Sequence, residues 1–485
     1  MTLIITRAAF LLAVTALSAA AGATPAERAL RALLAASESD EAAARFVDEQ
    51  FDPGHLRQVP ASAIAGQIRA LGRQSGGLTI DQLKPNGEHE ILAQLSAVKV
   101  KAQVRMRLAV APDPPHRIRA WGMQPTAGAY VGELLAGISG PESERLARIR
   151  TAIEQAAGAH RFSGVVLIAR GKQVLLETAV GQATLDPPAP NTPATKFHLG
   201  SMPKMFTATA VLQLVQQGKV KLDEPIATYL PDYPNPEHAR KVTLHHLLTH
   251  TSGLGNYFSP EFDKKKGSIR KLEDYYQFFA GQPLRFEPGA RWEYSNAGLH
   301  VAGIIVERVS GLSYYDYVRK HIFEPAGMAA TGNNRVDEHV PGLATGCTRF
   351  NTEDVLQIEP PRKSNIDTLP PKGGPAGGGY STLGDLHRFA QALTGHRLLD
   401  SRHTALLTEG KVAVPMAPDA RYAYGFEEMP IAGQRTIGHS GGAPGMNAIL
   451  RIVPETGLTV AVLSNFDPPT AQLMGQKIVE IMARP

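Results

Sequence analysis

The chain has 485 residues, of which 43% are hydrophobic and 20% are charged, an ordinary globular composition that is long enough for two domains. Its formal net charge is +5, but the densest basic cluster is only Lys264-Lys265-Lys266, and no stretch interleaves aromatic with basic residues. We therefore expect no nucleic-acid partner. Cys347 is the only cysteine, which excludes an intrachain disulfide and predicts a buried thiol.

Residues 1–23 have the features of a cleaved signal peptide. Arg7 precedes an apolar run at 8–20, and the small residues Ala21-Gly22-Ala23 follow it. The run is shorter than the about 20 residues that a membrane span needs, and no other stretch approaches that length. We therefore expect an exported protein, periplasmic or secreted, without a membrane span.

Residues 24–126 predict a small α+β domain in which helices precede an antiparallel meander. Helical spacing occurs at 26–36, 41–50 and 61–74. Alternation typical of strands follows at 78–83, 88–95, 98–111 and 116–122. This order resembles the cystatin-like or nuclear-transport-factor-2-like fold. The domain has no acid/base constellation, so we expect a positioning or dimerisation role for it.

Residues 127–141 contain glycine and proline and predict a linker to a second domain, 142–485. The clearest patterns of this domain are a helix at 142–157, a hairpin at 162–170 and 173–180, strands at 434–438, 446–453 and 459–464, and a helix at 469–482. The stretch between them, 207–425, is rich in helices and loops. This order predicts an antiparallel sheet built from the two ends of the domain and flanked by helices, with a helical subdomain beside it.

The segment Ser201-Met202-Pro203-Lys204 opens an apolar helical run that continues to Val215. A lysine three residues after a serine lies on the same helical face, so Lys204 can be the base that activates the Ser201 hydroxyl. Pro203 is tolerated only in a first helical turn, which places Ser201 at or just before the helix start, where the dipole favours an oxyanion. The alternative is a capping serine near a surface lysine.

The same pattern also occurs at Ser96 and Lys99. That copy lies in an alternating stretch, 90–109, that predicts strands. Residues three apart in a strand point to opposite faces, so this serine and lysine are not expected to cooperate.

A second candidate segment is Tyr294-Ser295-Asn296, in a loop before a predicted helix at 299–309. A phenol near Lys204 is expected to have a lowered pKa and to shuttle protons. Asn296 can donate a hydrogen bond to a substrate carbonyl. The alternative is a helix-entry turn in which Ser295 or Asn296 caps the helix.

The third segment, residues 438–442, fits the nucleophile-elbow pattern of α/β-hydrolases. That fold requires an acid and then a histidine after the serine, but no histidine follows Ser440 and Asp467 is the only later aspartate. We therefore disfavour Ser440 as a nucleophile. The segment is better interpreted as the end of an edge strand whose glycines let a backbone amide approach a substrate, with His439 as a cation or hydrogen-bond donor.

The three segments, in this order, resemble the serine β-lactamase and penicillin-binding-protein superfamily. The resemblance covers about residues 144–483 and is greatest to the class C-like branch of esterases, D-amino-acid peptidases and carboxypeptidases. Further stretches similar to that branch are 247–254 (LLTHTSGL), Pro288-Gly289 and 377–382 (GGGYST).

The resemblance implies that Ser201 is an acylated nucleophile and that Lys204 and Tyr294 are its base and proton shuttle, without deciding which is the base. Asn296 would contact the substrate, and His439 would line the side that receives a substrate carboxylate. The oxyanion hole would use the backbone amides of Ser201 and Gly442.

One departure from the family pattern concerns substrate choice, because penicillin-acting members usually have lysine where this chain has His439. Lysine is a permanent charge suited to a carboxylate, whereas histidine is mostly neutral near neutral pH. We therefore expect hydrolysis of a small-molecule ester, amide or peptide. The alternatives are a β-lactamase and a penicillin-recognising receptor that is acylated without turnover.

Two further clusters are expected to have no separate chemistry. His245, His246 and His250 lack partners at zinc-ligand spacing, so neither a metal nor a cofactor is predicted. The glycine-rich stretch 373–379 lacks the Gly-Lys-Ser/Thr ending of a phosphate loop and predicts a loop at the edge of the active site. Substrate identity and oligomeric state stay open.

Overall fold

The computed structural model describes residues 23–56, 59–99, 103–125, 127–349, 362–415 and 417–484. The predicted signal peptide, 1–23, lies outside the described residues except for its last position. The described residues form two compact units, one within residues 23–125 and the other comprising 127–348 and 362–484. None of the helices in the described ranges is both long enough and apolar enough to cross a membrane.

The first unit consists of helices followed by an antiparallel meander, as its sequence pattern predicts. Its helices are α1 Pro25–Ala36, α2 Asp40–Gln50, α3 Pro53–Leu56 and α4 Ala61–Ser75. Its strands pair in the order β1 Leu78–Pro85, β2 Glu90–Ala97, β3 Gln103–Val110 and β4 Ile118–Pro125. Thr24 and Ser39 cap α1 and α2, and Leu30, Phe46 and Met106 belong to the core between helices and sheet.

The segment predicted to be a linker, 127–141, differs from that expectation. It contains the helix α5 Ala127–Leu134, and Val131, Leu135 and Ile138 are buried in the core of the second unit. Val131 lies in the helix and Leu135 directly after it, with the Leu135 N–H donating to the Val131 carbonyl at 3.1 Å, and burial of this end stabilises a helix that its glycines disfavour.

An eight-stranded antiparallel sheet forms the centre of the second unit, in the order β13-β14-β15-β16-β17-β18-β5-β6. These strands are β5 Gly164–Arg170, β6 Gln173–Val180, β13 Val412–Val414, β14 Ala417–Tyr422, β15 Glu427–Ile431, β16 Gln434–Ala443, β17 Met446–Val453 and β18 Leu458–Ser464. Strand β18 pairs with β5, so the two ends of the unit meet in one sheet, as predicted.

Each face of the sheet is covered by helices, because residues of β17 alternate between two cores. Ile449 packs on one face, with the helices α6 Glu142–Gly158 and α16 Thr470–Ala483. Leu450 packs on the other face, with the helical region that lies between β6 and β13 in the chain. This arrangement confirms the predicted α+β fold class, an antiparallel sheet flanked by helices.

The helical region contains nine helices in the described part of the chain. They are α7 Pro203–Gln216, α8 Pro236–Lys241, α9 Leu244–Leu248, α10 Pro260–Lys265, α11 Asn296–Ser310, α12 Tyr314–Val318, α13 Glu324–Ala326, α14 Leu383–Thr394 and α15 Ser401–Thr408. Short strands β7 Gln182–Leu185, β8 Pro188–Pro190, β9 Phe197–His198, β10 Cys347–Thr348, β11 Lys363–Ser364 and β12 Tyr380–Ser381 lie outside the main sheet. Cys347 is a buried free thiol, as predicted.

Helix α7 is the centre of this region, because its residues from Pro203 to Leu214 are buried on all sides. The Phe206 ring packs edge-on against Phe323 and Phe389, with ring centroids 5.1 and 5.0 Å apart. The first turn of α7 is therefore held rigidly by the core.

Candidate active site

Ser201 lies in the turn that leads into α7, two residues before the first helical residue, Pro203. Gly200 adopts the left-handed conformation at φ +57°, and its carbonyl accepts a hydrogen bond from the Gly378 N–H at 2.7 Å. The Lys204 N–H donates to the Ser201 carbonyl at 3.1 Å. The prediction that Pro203 places Ser201 just before the helix start is confirmed.

The Lys204 ammonium group lies inside the protein rather than on its surface. Its Nζ donates to Asn296 Oδ1 at 2.8 Å and to the Ala376 carbonyl, and it lies 4.8 Å from the centroid of the Tyr294 ring. The structure thus brings residues of the first two candidate segments together around one side chain.

Burial decides the protonation state of Lys204. The side chain is 0% exposed, and this desolvation lowers its pKa well below the usual value, an effect that the negative charge of Glu427 only partly opposes. A buried lysine with a lowered pKa is a neutral amine over a wider pH range and can accept a proton from a hydroxyl.

The expectation that the pKa of Tyr294 is lowered is wrong. Burial raises the pKa of the phenol, a hydrogen bond with Ser201 opposes this, and Glu427 raises the pKa further. Since burial also disfavours the charged form of Lys204, little positive charge is present to stabilise a phenolate. Tyr294 is therefore a protonated phenol that is hydrogen-bonded to the Ser201 side chain.

The capping interpretation of the second segment is confirmed for Ser295, and Asn296 contacts Lys204. Ser295 caps α11, because its Oγ accepts from the Gly298 N–H at 2.9 Å. Asn296 is the first residue of α11, where its Oδ1 accepts from Lys204 and its Nδ2 donates to Asn256 Oδ1 at 3.3 Å. A helix start thus orients a site residue.

His439 lies in the same buried region but is not a cation. Its Nδ1 contacts the Ser440 carbonyl, which can only accept, so Nε2 accepts from the Tyr422 hydroxyl at 3.0 Å. Burial lowers the pKa of His439 to about 4, with Glu427 opposing and Lys204 adding to the shift. Of the two roles considered for His439, that of a cation is therefore excluded at neutral pH, and its one N–H donor is used within the protein.

Strand β16, which contains the third segment, is an edge strand for only half of its length. Strand β15 pairs with β16 from Gln434 to Gly438, and residues 439–443 pair with β17 alone. The sequence-based expectation of an edge strand is thus correct for residues 439–443, although β16 as a whole lies inside the sheet.

The open edge of β16 approaches the Ser201 turn closely. The position that a Cβ on Gly200 would take lies 2.6 Å from the Gly442 nitrogen, and a Cβ on Gly441 would lie 1.9 Å from the Leu199 carbonyl oxygen and 2.9 Å from the Ser201 nitrogen. Only glycines permit this approach. It places the Gly441-Gly442 backbone beside the Gly200-Ser201 turn.

Sequence reasoning missed a second hydrogen-bond acceptor for Lys204, the Ala376 carbonyl. The glycine-rich stretch 373–379 was predicted as a loop at the edge of the site, and it contacts the Ser201 turn through Gly378. A backbone carbonyl has no residue-type signal, so its role as an acceptor could not be predicted.

Glu427 was also missed, and it is the carboxylate of this region. Its Oε2 pairs with Arg451 Nη2 at 2.5 Å, and its Oε1 accepts from Ser440 Oγ at 3.2 Å. Burial alone would raise the pKa of Glu427, but the Arg451 guanidinium and the Ser440 hydrogen bond bring it below its usual value. The carboxylate that Ser440 hydrogen-bonds is paired with Arg451 and has a lowered pKa, which makes it a weak base, so Ser440 stays disfavoured as a nucleophile.

His250, which sequence reasoning treated only as a metal candidate, packs against the site. Its ring centroid lies 4.4 Å from that of Tyr294 and 4.5 Å from that of Tyr422, and its Nδ1 accepts from the Ser295 N–H at 3.1 Å. Burial lowers the pKa of His250 well below its usual value. Within the described ranges, no group of three or more His, Cys, Asp or Glu residues is arranged to hold a metal ion.

Comparison with known proteins identifies the family of this chain. A family model described as beta-lactamase matches residues 149–482. The chain belongs to the beta-lactamase family. The superfamily that the three segments predict is thereby confirmed, and with it a serine hydrolase fold.

Three similar proteins illustrate the range of this family. Penicillin-binding protein 4* of Bacillus subtilis (strain 168) is 30% identical over 336 residues, which cover 66% of this chain and 72% of that protein. Esterase EstB of Burkholderia gladioli is 36% identical over 200 residues, which cover 38% of this chain and 51% of that protein. The D-amino acid amidase of Ochrobactrum anthropi SV3, in complex with L-phenylalanine, is 25% identical with a TM-score of 0.60, covering 70% of this chain and 99% of that one.

Proposed function

We propose that the protein is an exported serine hydrolase of the class C-like branch that cleaves an ester or a peptide-like amide through an acyl-enzyme on Ser201. The observation that carries the proposal is Lys204, a fully buried lysine with a lowered pKa that Asn296 and Ala376 hold beside the Ser201 turn. A purely structural role does not require a lysine to be desolvated in this way, whereas a general base benefits because desolvation lowers its pKa.

In the proposed reaction, Ser201 Oγ attacks the substrate carbonyl carbon while its proton passes to neutral Lys204 through the Tyr294 hydroxyl. The oxyanion of the tetrahedral intermediate accepts hydrogen bonds from the amides of Ser201 and Gly442. Collapse expels the alcohol or amine, which takes the proton that Lys204 has held. Water then attacks the acyl-enzyme with the same base and restores the Ser201 hydroxyl.

The charges near Ser201 support esters and amides over substrates with a free carboxylate. His439 is neutral at neutral pH, and Glu427 is ionised with a side chain that is 23% exposed. A β-lactam carboxylate would therefore meet a neutral imidazole and the Glu427–Arg451 ion pair where penicillin-acting relatives offer a lysine. The names of two relatives, an esterase and a D-amino acid amidase, support the same substrate classes.

A second candidate function is a receptor that is acylated and not turned over. It is favoured by the similarity to penicillin-binding protein 4*, which extends over 72% of that protein. The two functions share Ser201 acylation and differ in the fate of the acyl-enzyme.

Intact-mass analysis after treatment with a fluorophosphonate tests the proposal, with p-nitrophenyl acetate and nitrocefin turnover measured in parallel. We expect one adduct that is absent in Ser201→Ala and unchanged in Ser440→Ala, together with faster turnover of the ester. Loss of the adduct in Ser440→Ala alone would contradict the assignment of the nucleophile. A stable adduct with nitrocefin and no turnover of either substrate would favour the receptor.

A further inference from the structure

The peptide unit between Gly441 and Gly442 is held from the side that faces away from Ser201. The Gly441 carbonyl accepts two side-chain hydrogen bonds, from Asn447 Nδ2 at 3.2 Å and from Gln472 Nε2 at 3.2 Å. Asn447 is in β17, opposite Gly442, and Gln472 is in the first turn of α16. Two amide groups from two different elements thus meet on one backbone carbonyl.

Holding this carbonyl also orients the Gly442 N–H, because both belong to one planar unit. In a trans peptide the C=O and the N–H point in opposite directions. The carbonyl points to the β17 side, so the N–H points to the open edge of β16. Gly200 lies against the same peptide unit, because its Cβ position would lie 2.6 Å from the Gly442 nitrogen and 2.8 Å from the Gly441 carbonyl carbon.

The orientation of the Asn447 amide is fixed by its other contacts. Its Oδ1 accepts from the backbone N–H of Ala471 at 2.6 Å and of Gln472 at 3.3 Å. Backbone N–H groups can only donate, so the oxygen must face α16 and the NH₂ must face Gly441. The side chain is 1% exposed and therefore has no competing water. Asn447 thus joins the start of α16 to the peptide at the site.

We propose that Asn447 and Gln472 are positioning residues that aim and polarise the Gly442 N–H as an oxyanion donor. The proposal rests on the proposed function, in which that N–H stabilises the tetrahedral intermediate. A preorganised donor needs no rearrangement when charge develops, and a carbonyl that accepts two hydrogen bonds makes the N–H of the same peptide a stronger donor. Neither side chain touches the substrate.

Asn447→Asp is the sharpest test, because it separates the two contacts of this side chain. The carboxylate still accepts from the α16 amides, but it has no N–H for Gly441 and repels its carbonyl. We expect a fall of about 10- to 100-fold in two quantities, the rate constant for fluorophosphonate labelling of Ser201 and kcat for p-nitrophenyl acetate. This is less than the ~10²- to 10³-fold loss that follows removal of an oxyanion donor. KM should change by less than about threefold, since the ground-state carbonyl depends little on this donor.

Gln472→Ala provides a second variant at a partly exposed position, in case Asn447→Asp does not fold. It removes one of the two hydrogen bonds to Gly441, and we expect a loss in kcat of about threefold to tenfold, in line with a net hydrogen-bond contribution of about 1 kcal/mol. The matched control is Gln434→Ala. Gln434 is in β16 and, like Gln472, links β16 to α16, through Nε2 to the Ala483 carbonyl at 2.9 Å, at the far end of the helix.

The positioning role would be overturned by wild-type rates in folded Gln472→Ala or Asn447→Asp, or by a loss in Gln434→Ala that equals theirs. In either case Ser201 would still be labelled. A labelled adduct that persists in Ser201→Ala would instead overturn the proposed function, and the positioning role with it. The two failures are therefore distinguishable in one set of mass measurements.

Discussion

Two of the three copies of the Ser-x-x-Lys pattern in this chain, those at Ser96 and Ser201, lie in opposite environments; the third begins at Ser268. Ser96 is in strand β2 and donates its hydroxyl to Asp81 Oδ2 at 2.6 Å, while Lys99 lies exposed beyond the end of that strand. Ser201 and Lys204 flank the start of a helix, and Lys204 is completely buried. The four-residue pattern is the same, so the chemistry depends on local structure and desolvation rather than on residue types.

The largest difference between the two copies should appear in activity. Lys204→Met is expected to lower kcat/KM for ester hydrolysis by about 10²- to 10⁴-fold, the usual contribution of a general base, whereas Lys99→Met should leave it unchanged. Steady-state kinetics with p-nitrophenyl acetate measures both. An equal loss in the two variants, or none in either, would show that the buried lysine is not the base.

The fold was largely predictable from local patterns, because long helices and strands with clear periodicity determined the sheet and its flanking helices. The start of α7 was predictable because Pro203 restricts where a helix can begin. The helix at Ala127–Leu134 was missed because its glycines indicated a connector, and only the core of the second unit supplies the burial that stabilises it.

The candidate site was predictable in its residue types and not in its electrostatics. Proximity to a lysine predicted a lowered pKa for Tyr294, but burial raises the pKa of the phenol and removes the charge from the lysine. Glu427 is twelve residues before His439 and has no motif, so only strand pairing brings it beside Ser440. Tertiary contacts decide such effects, and one sequence does not display them.

Stability should distinguish the two lysines with a defined dependence on pH. The folded-state pKa of Lys204 lies well below its value of about 10.4 in an unfolded chain, so between these values the unfolded state binds a proton that the folded state lacks. The free energy of unfolding of the wild type therefore rises with pH in this window, by at most about 1.4 kcal/mol per pH unit for one proton.

Lys204→Met removes that proton from both states, so its unfolding free energy should exceed that of the wild type by an amount that shrinks as pH rises towards 10. Chemical denaturation from pH 6 to pH 9 measures the difference. Lys99→Met is the control, because its exposed side chain is in water in both states. A constant offset for Lys204→Met across this range would contradict a neutral, buried Lys204.

The smallest expected effect concerns the carboxylates that accept from a serine hydroxyl in each region, Glu427 from Ser440 and Asp81 from Ser96. Glu427→Gln removes an anion beside the proposed site and should raise the nitrocefin-to-p-nitrophenyl acetate ratio of acylation rates by about fivefold. This corresponds to about 1 kcal/mol for one partly exposed charge near a substrate carboxylate. If Arg451 without its partner leaves less folded protein, both acylation rates fall by the same factor and their ratio does not change. Asp81→Asn should leave the ratio unchanged, and a ratio that stays constant in Glu427→Gln would show that this carboxylate does not select against anionic substrates.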